Sequence, residues 1–352
     1  MHRVPLCLAL ACHLALALIA SRPAAADSYT VTDLGLLPGT ANSWVWQQTI
    51  NNDGVVAVYA NSIADPNAFT GDSSYLWQNG QITPLPGLPG ATDTIAFALN
   101  NHGQVVGRST VPGAPNHPVL WDQGVIQMLD ELPGDNKGAA LGINDHGQVV
   151  GYSASTATGI RTAVIWYKGT LSQLPSLPGG GGFDEALGIN EKGQIVGLSG
   201  PGGGLDHITL WDHGVAIDLG TLGGDFGEAV AINNKGEICG TSTTAIGGPD
   251  PFLWEDGVIT DLGVLAGDVD GVAYDINNRG QVVGYSESNP SDLTTGHALL
   301  WENGGMISLQ TMISTDSGWT LLQALGINNR GQIVGFGIHD GQYRAFLLTP
   351  VG

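Results

Sequence analysis

Acidic residues recur at equivalent places along this sequence, and their spacing suggests chemistry better than that of any other side chain. Four aspartates each follow a Pro-Gly or Gly-rich turn, and two further acids lie a few residues beyond such turns. Calcium binds several oxygen ligands at once, many of them carboxylates. If these acids converge, they form a calcium site. The residues concerned are Asp135, Asp184, Asp225, Glu228, Asp268 and Asp270.

The calcium interpretation has an alternative. No loop of the Asp-x-Asp-x-Asp-Gly type occurs in the sequence. Acidic residues in loops are also mostly exposed and solvated. The same six residues could therefore form only an acidic surface, and the sequence leaves both interpretations open. Calcium is the only cofactor that the residue pattern suggests.

A second candidate site involves two tryptophans outside the regular pattern of the chain. Trp44 and Trp319 lie near the loops that enter its first and last repeats. Large aromatic rings bind ligands, but they also fill hydrophobic cores. We expect either a sugar-stacking patch, with Asp93 and Asp316 as further ligand contacts, or a hydrophobic seal between the two ends of the chain.

Motifs for common catalytic chemistry are absent from the sequence. It has no Gly-x-Ser-x-Gly, Cys-x-x-Cys, His-Glu-x-x-His or Gly-x-x-x-x-Gly-Lys pattern. His117, His207 and His297 precede the third strands of alternate repeats, which are not neighbours on a ring and so cannot share one metal. We therefore assign no catalytic residue, although carboxylate pairs could serve a glycoside hydrolase or a lyase.

One phrase, Ile-Asn-Asn-x-Gly-Gln-Val-Val-Gly, is repeated with variations along the chain. Its first asparagine recurs at spacings from 43 (190 to 233) to 51 (277 to 328) residues. Asn-x-x-Gly supplies the positive φ angles of a tight hairpin turn. A spacing of about 45 residues is typical of propeller blades and other repeated units. The seven first asparagines are Asn51, Asn100, Asn144, Asn190, Asn233, Asn277 and Asn328.

Each repeat predicts four antiparallel strands. An apolar run ending in Trp-x-x-Gly, present in six copies, gives a second tight hairpin, and Leu-x-x-Leu closes each copy. We therefore predict an all-β fold, a seven-bladed β-propeller of four-stranded antiparallel blades. Residues 29–39 match a fourth strand without the first three, and residues 325–349 supply three strands. The N-terminal strand should therefore complete the last blade and close the ring.

Two kinds of loop alternate in this arrangement. The Asn-x-x-Gly and Trp-x-x-Gly turns have nearly constant lengths and would share one face, the turn face. The loops between second and third strands and the links between repeats vary in length and would share the other face, the variable-loop face. Binding residues usually collect on variable loops. We expect any site there, with the link carboxylates around the mouth of the central channel.

The segments INNRGQVVG, GHALLWENG and DLGTLGG resemble the HAF-type extracellular repeat of bacterial secreted proteins, and the resemblance covers nearly all of residues 27–352. The His-Ala-Phe signature is only approximated, by His297-Ala298-Leu299 and by Arg344-Ala345-Phe346. The resemblance implies export and a propeller-like repeat fold. It carries over no reaction and no catalytic residues.

The N-terminus and the charge limit the location and the partners. Residues 1–26 have the basic start, apolar stretch and small-residue cleavage site of a secretory signal peptide, which leaves residues 27–352 as one domain of seven repeats. Without Arg3 and Arg22, 9 basic face 32 acidic residues, a net charge of 9 − 32 = −23. This charge disfavours nucleic acid, and no later stretch is apolar enough for membrane insertion. We expect a secreted or periplasmic monomer.

Together these features predict a secreted binding or interaction module that presents a variable, acidic loop face to an extracellular carbohydrate or protein. One alternative is an extracellular polysaccharide hydrolase or lyase that uses carboxylates on that face. Another is a structural envelope protein. The sequence does not establish whether the protein is an enzyme.

Overall fold

The computed structural model describes residues 28–61, 71–200 and 205–351. The predicted signal peptide, residues 1–26, lies outside the described residues. Within these ranges the chain forms 28 β-strands and no α-helix, so the fold is all-β. Three short 3₁₀ helices cover Leu293–Thr295, Leu309–Met312 and Thr315–Ser317.

Five antiparallel sheets of the described residues have four strands each, and we call these the blades. The first two blades contain β2 (Asn42–Trp44), β3 (Val56–Asn61), β4 (Ser73–Gln78) and β5 (Gln81–Pro84), then β6 (Asp93–Leu99), β7 (Val105–Thr110), β8 (Asn116–Asp122) and β9 (Val125–Met128). The next two contain β18 (Gly223–Ile232), β19 (Ile238–Thr244), β20 (Pro249–Glu255) and β21 (Val258–Asp261), then β22 (Asp270–Ile276), β23 (Val282–Glu287), β24 (Gly296–Glu302) and β25 (Gly305–Ser308). The last contains β26 (Trp319–Ile327), β27 (Ile333–His339), β28 (Gln342–Pro350) and β1 (Tyr29–Asp33).

The remaining eight strands form one sheet, so the prediction of seven four-stranded blades is wrong: the described chain has five. The larger sheet contains β10 (Lys137–Ile143), β11 (Val149–Ala154), β12 (Arg161–Tyr167), β13 (Thr170–Gln173), β14 (Phe183–Ile189), β15 (Ile195–Gly200), β16 (His207–Asp212) and β17 (Val215–Asp218). It is continuous because β12 pairs in parallel with β14 at Arg161 and Phe183. Residues 179–182, the link before β14, are four glycines. Since they carry no side chains, the link runs close to β12, where Arg161 N donates to Gly182 O at 3.3 Å.

Six of the seven phrases end in a glycine that is required by a close backbone approach, whereas the first has Val58 at this position. Six inner strands, β6, β10, β14, β18, β22 and β26, share a shift in register near their centre. Opposite this irregularity the second strand carries the phrase glycine. A Cβ on Gly284, for example, would lie 1.9 Å from the carbonyl oxygen of Val272. A side chain does not fit opposite these irregular inner strands, which explains why the glycine recurs in those copies.

The phrase asparagines close the fold into a ring. Nδ2 of each first asparagine donates to the backbone oxygen of the equivalent asparagine in the next copy, at 2.9–3.2 Å. The last copy returns to the first, where Asn328 Nδ2 donates to Asn51 O at 2.9 Å. At the chain ends, β1 pairs antiparallel with β28, from Tyr29 opposite Pro350 onwards. The N-terminal strand thus completes the sheet of the last three strands.

Both kinds of tight hairpin turn are confirmed. Asn277 Oδ1 accepts a hydrogen bond from Arg279 N at 3.0 Å, and Gly280 has φ +82°. In the Trp-x-x-Gly turns both central residues have positive φ, as at Asn303 (52°) and Gly304 (73°). This geometry is that of a two-residue hairpin. The turns therefore hold the four strands of a copy in register.

The axis of the ring is filled by side chains. Phe97, Leu141, Leu187 and Leu325, from four inner strands, belong to one buried hydrophobic cluster. On the turn face, a polar cavity of about 160 Å³ is lined mainly by the phrase asparagines and their neighbours. The buried cluster separates this cavity from the variable-loop face.

Candidate functional site on the variable-loop face

Three of the six predicted calcium ligands accept local hydrogen bonds. Asp135 accepts from Ser153 Oγ at 2.7 Å, and Asp184 accepts from Ser176 Oγ at 2.5 Å. Asp268 accepts from the hydroxyl of Ser286 and contacts His297 Nδ1 at 3.0 Å. These three carboxylates each anchor a link between copies to the neighbouring strands or turn.

The structure does not bring the six predicted ligands to one point. Asp225 is exposed and Asp270 is half-buried at the start of β22. Glu228 as a whole residue is half-buried, but its carboxyl group is buried, and the charge of Asp206 acts on it. Among the described residues, no group of three or more acidic, histidine or cysteine side chains has a geometry that could hold a metal ion. Calcium binding remains a prediction.

The two exceptional tryptophans lie in the core. Trp44 is fully buried, stacks on Tyr343 at 4.8 Å between ring centroids and meets Phe336 edge-on at 4.9 Å. Trp319 is 6% exposed and stacks on His339 at 4.6 Å. Neither indole offers an open face to a sugar. Their position agrees with the second interpretation, a seal between the two ends of the chain.

The predicted ligand contacts Asp93 and Asp316 have different surroundings. Asp316 is exposed in a 3₁₀ helix, where its backbone N donates to Ser314 Oγ at 3.4 Å. Asp93 is 7% exposed at the start of β6, next to Asp72, which is 1% exposed just before β4. We call Asp72 and Asp93 the carboxyl pair. It lies at the variable-loop end of both strands.

Both carboxyl groups of the pair have raised pKa values. Burial raises the pKa of Asp93 to about 6, and the charge of Asp72 adds to this rise while Arg108 opposes it. Burial also raises the pKa of Asp72, although Asn61 Nδ2 donates to its Oδ1 at 2.7 Å. Within the described ranges, Asp72 Oδ2 and Asp93 Oδ1 are buried and have no hydrogen-bond partner. Tyr59, buried beside Asp72, has its hydroxyl pKa raised by burial and by that charge.

Three basic side chains lie on strands of the same and the following copies, β7, β10 and β12. We call Arg108, Lys137 and Arg161 the cationic row. Lys137 lies opposite Ala154, and Ala154 lies opposite Arg161. Burial, followed by the charges of Arg161 and Arg108, lowers the pKa of the Lys137 ammonium. The row holds three of the nine basic residues in residues 27–352. It is a cluster of cations on a strongly acidic protein.

Aromatic rings hold the guanidinium groups of the row. The Arg161 guanidinium lies 4.8 Å from the ring centroid of Tyr152 and 4.5 Å from that of Phe183, and it pairs with Glu185. The Arg108 guanidinium lies 5.9 Å from the Phe97 ring. Cation–π contacts of this kind restrict a flexible side chain. The two arginines are therefore held in place rather than free in solvent.

An acidic region continues the variable-loop face along the copies after the row. Glu228 has its pKa raised to about 7 by burial and by the charge of Asp206. Tyr274 and Tyr285 stack at 5.7 Å, and the Tyr285 hydroxyl donates to Glu287 Oε1 at 3.4 Å. The variable-loop face is thus cationic in one part and acidic in another. Sequence analysis predicted only the acidic part.

The fold and the two distinct loop faces define the class of this protein as a β-propeller. No protein-family model and no curated protein matches the chain. No helix of the described residues is both long and apolar enough to cross a membrane.

Solved propeller structures resemble the chain at low sequence identity. The β-propeller domain of the Trilobed protease from Pyrococcus furiosus matches with a TM-score of 0.52 and 10% identity, over 87% of this chain and 95% of that one. YCF48 bound to D1 peptide matches with 0.51 and 10%, over 93% and 96%. TolB from Acinetobacter baumannii matches with 0.48 and 14% over 89% of this chain, which spans 64% of that chain's length. These similarities concern the fold alone.

Proposed function

We propose that the protein is an exported binding module that holds an extracellular carbohydrate on its variable-loop face. The propeller fold supports a binding or interaction role, because a rigid ring presents its loops in defined positions. The signal peptide predicted at residues 1–26 supports export to the periplasm or the medium. The proposal places the ligand at the carboxyl pair and the cationic row.

The observation that carries the proposal is the carboxyl pair. Asp72 and Asp93 each keep one buried oxygen without a hydrogen-bond partner among the described residues. Buried polar atoms in folded proteins are almost always hydrogen-bonded. We infer that donors of a ligand bind at these unpartnered acceptors. Sugar hydroxyls are such donors, and the guanidinium groups of Arg108 and Arg161 can donate in turn to sugar oxygens.

A binding screen with residues 27–352 against polysaccharides and peptides tests the proposal. Asp93→Asn should lower the affinity for the best polysaccharide roughly 10-fold or more, the usual effect of losing a charged hydrogen-bond acceptor. Asp53→Asn is the matched control, since Asp53 is exposed in an Asn-x-x-Gly turn on the opposite face. The control should bind like the parent.

Melting temperatures separate loss of the site from loss of the fold. Asp93→Asn removes a buried charge, so at pH 7 its melting temperature should be no lower than that of the parent. Equal polysaccharide affinity of parent and Asp93→Asn would contradict the proposed site. Binding of peptides alone would favour a peptide partner, and no binding in any arm would favour a structural envelope role.

A second candidate function is hydrolysis or elimination of a polysaccharide, and the pKa of Asp93 favours it. A carboxyl group with a pKa of about 6 can hold its proton near neutral pH and act as a general acid beside a second carboxylate. Polysaccharides that bind should then release reducing ends or unsaturated products with the parent and none with Asp93→Asn. Binding without product from either protein would leave the binding function alone.

A further inference from the structure

We propose that the ligand of the variable-loop face is an acidic polysaccharide, whose carboxylate groups bind at Lys137 between the guanidinium groups of Arg108 and Arg161. This inference rests on the proposed carbohydrate-binding function and specifies the class of sugar.

The strand register places two of the cations on the same side of one sheet. Lys137 and Arg161 are both opposite Ala154, on the strands to either side of it. Directly opposed residues in antiparallel strands project to the same side of the sheet. Neighbouring strands are about 4.8 Å apart, so two strand spacings separate Lys137 from Arg161. Ala154, the residue between them, is buried and carries only a methyl group, so the two long side chains extend past it on the same side of the sheet.

Lys137 has no counter-ion of its own. Arg161 pairs with Glu185, and Arg108 lies close enough to the carboxyl pair to lower the pKa of both carboxyls. Lys137, in contrast, has no ion-pair partner within the described ranges, although residues 27–352 carry 32 acidic side chains against nine basic ones. Two neighbouring cations repel its ammonium. A bound anion would relieve that repulsion.

The whole face fits a polyhydroxylated anion better than a peptide. Carboxylates of an acidic polysaccharide would pair with the cationic row, while its hydroxyls would donate to the unpartnered oxygens of Asp72 and Asp93. An acidic peptide would satisfy the row but offers few hydroxyl donors to the carboxyl pair. The stacking of Arg161 on Tyr152 and Phe183 fixes its guanidinium before binding, which lowers the entropy cost of association.

The experiment compares polymers that differ in charge. Residues 27–352 are titrated at about 0.15 M salt, where long-range repulsion is screened, with polygalacturonate, with its carboxyl-reduced neutral form and with polyglutamate. We expect polygalacturonate to bind at least about 10-fold more tightly than the other two. Lys137→Gln should abolish this preference, whereas Lys137→Arg should retain it.

Lys192→Gln is the matched control, because Lys192 is exposed in an Asn-x-x-Gly turn on the opposite face. It should bind all three polymers like the parent, and melting curves should show that both glutamine variants are folded. Equal or tighter binding of the neutral polymer would overturn the inference while the proposed carbohydrate function stands. A preference for polyglutamate would also overturn it. If neither form of the polysaccharide binds, both proposals fail.

Discussion

Single side chains of the variable-loop face differ in chemical class from their counterparts in other copies of the repeat. Arg108 follows Val-Val-Gly at the position that Tyr152 and Tyr285 hold in two other copies. Packing that all copies share cannot require a guanidinium at one of them. Such an exception therefore indicates a local role, here as part of the cationic row. This comparison of copies is the signal by which Arg108 could have been found from the sequence.

The glycines of the Asn-x-x-Gly turns are residues whose replacement should disturb the fold directly. Gly280 has φ +82°, and a Cβ there would lie 3.3 Å from Glu237 Oε2. Gly280→Val should lower the free energy of unfolding by roughly 1–3 kcal/mol, the usual cost of a side chain in a strained backbone region. Urea denaturation measures the change.

The control for this variant is Gly305→Ala. An added Cβ at Gly305 would have one neighbour, Glu302 O at 3.6 Å, and its φ is outside the positive range. The free energy of unfolding should change by no more than about 0.5 kcal/mol. If the urea midpoints of Gly280→Val and the parent coincide, the turn does not need a positive φ.

At the scale of elements, the ring depends on two contacts made by the chain ends. β1 supplies the outer strand of the last blade through its pairing with β28. Between this blade and the first, Ala345 N donates to Ser43 Oγ at 3.0 Å, and Leu34 N donates to Ala345 O at 3.0 Å. Leu34 is fully buried. The N-terminal segment therefore both completes a blade and packs at its junction with the next.

Deleting residues 29–39 should open this junction. The deletion leaves the hydrogen-bonding edge of β28 unpaired, and exposed strand edges promote association with other chains. We expect a lower melting temperature and concentration-dependent self-association by light scattering. A synthetic peptide of residues 28–40, added in trans, should restore part of the melting temperature. A monomeric deletion variant with the parent's melting temperature would show that the pairing does not stabilise the ring.

For the whole molecule, the distribution of charge is more informative than its total. Four of the nine basic residues lie in Asn-x-x-Gly turns on the turn face, and three form the cationic row. The four on the turn face are Lys192, Lys235, Arg279 and Arg330. The basic residues of a protein with an overall charge of −23 are thus concentrated in two regions, the turn face and the cationic row. Only the cationic row adjoins buried carboxyl oxygens that have no hydrogen-bond partner among the described residues.

Buried carboxyls should make stability depend on pH. The pKa of Asp93 is raised to about 6, and those of Glu228 and Asp275 to about 7, in each case chiefly by burial. In the unfolded chain these groups titrate near pH 4. Between about pH 4 and 7 the folded state therefore binds more protons, so its stability falls as pH rises. Melting temperatures should be higher at pH 5.5 than at pH 8, as scanning calorimetry can measure at constant ionic strength.

Glu228→Gln tests the origin of this dependence. Glutamine keeps the size of the side chain and removes the buried charge, so the variant should melt higher than the parent at pH 8 and show a flatter pH profile. The exposed control Asp53→Asn should follow the parent's profile. A Glu228→Gln profile parallel to the parent's would assign the pH dependence to other groups.

The residues of the candidate site come from different copies of the repeat, and this limits how much of the site can be predicted from the sequence. Asp93 was expected to contact ligand and lies in the carboxyl pair. Its partner Asp72 precedes the third strand of the previous copy, and no local pattern connects the two. Lys137 and Arg161 meet only through their shared register with Ala154. Contacts of this kind depend on how strands pair and how sheets pack, which residue types alone do not specify.

The sequence by itself determined the features that depend on local backbone geometry. The Asn-x-x-Gly and Trp-x-x-Gly turns need positive φ angles, so they mark the hairpins, the strand order and the incomplete copies at both ends. Tertiary structure decided how the strands divide into sheets, because a backbone contact between Arg161 and Gly182 joins eight strands into one. The tertiary structure also decided which carboxylate oxygens lack a hydrogen-bond donor. Serine hydroxyls occupy Asp135 and Asp184, while burial leaves an oxygen of Asp93 without a donor.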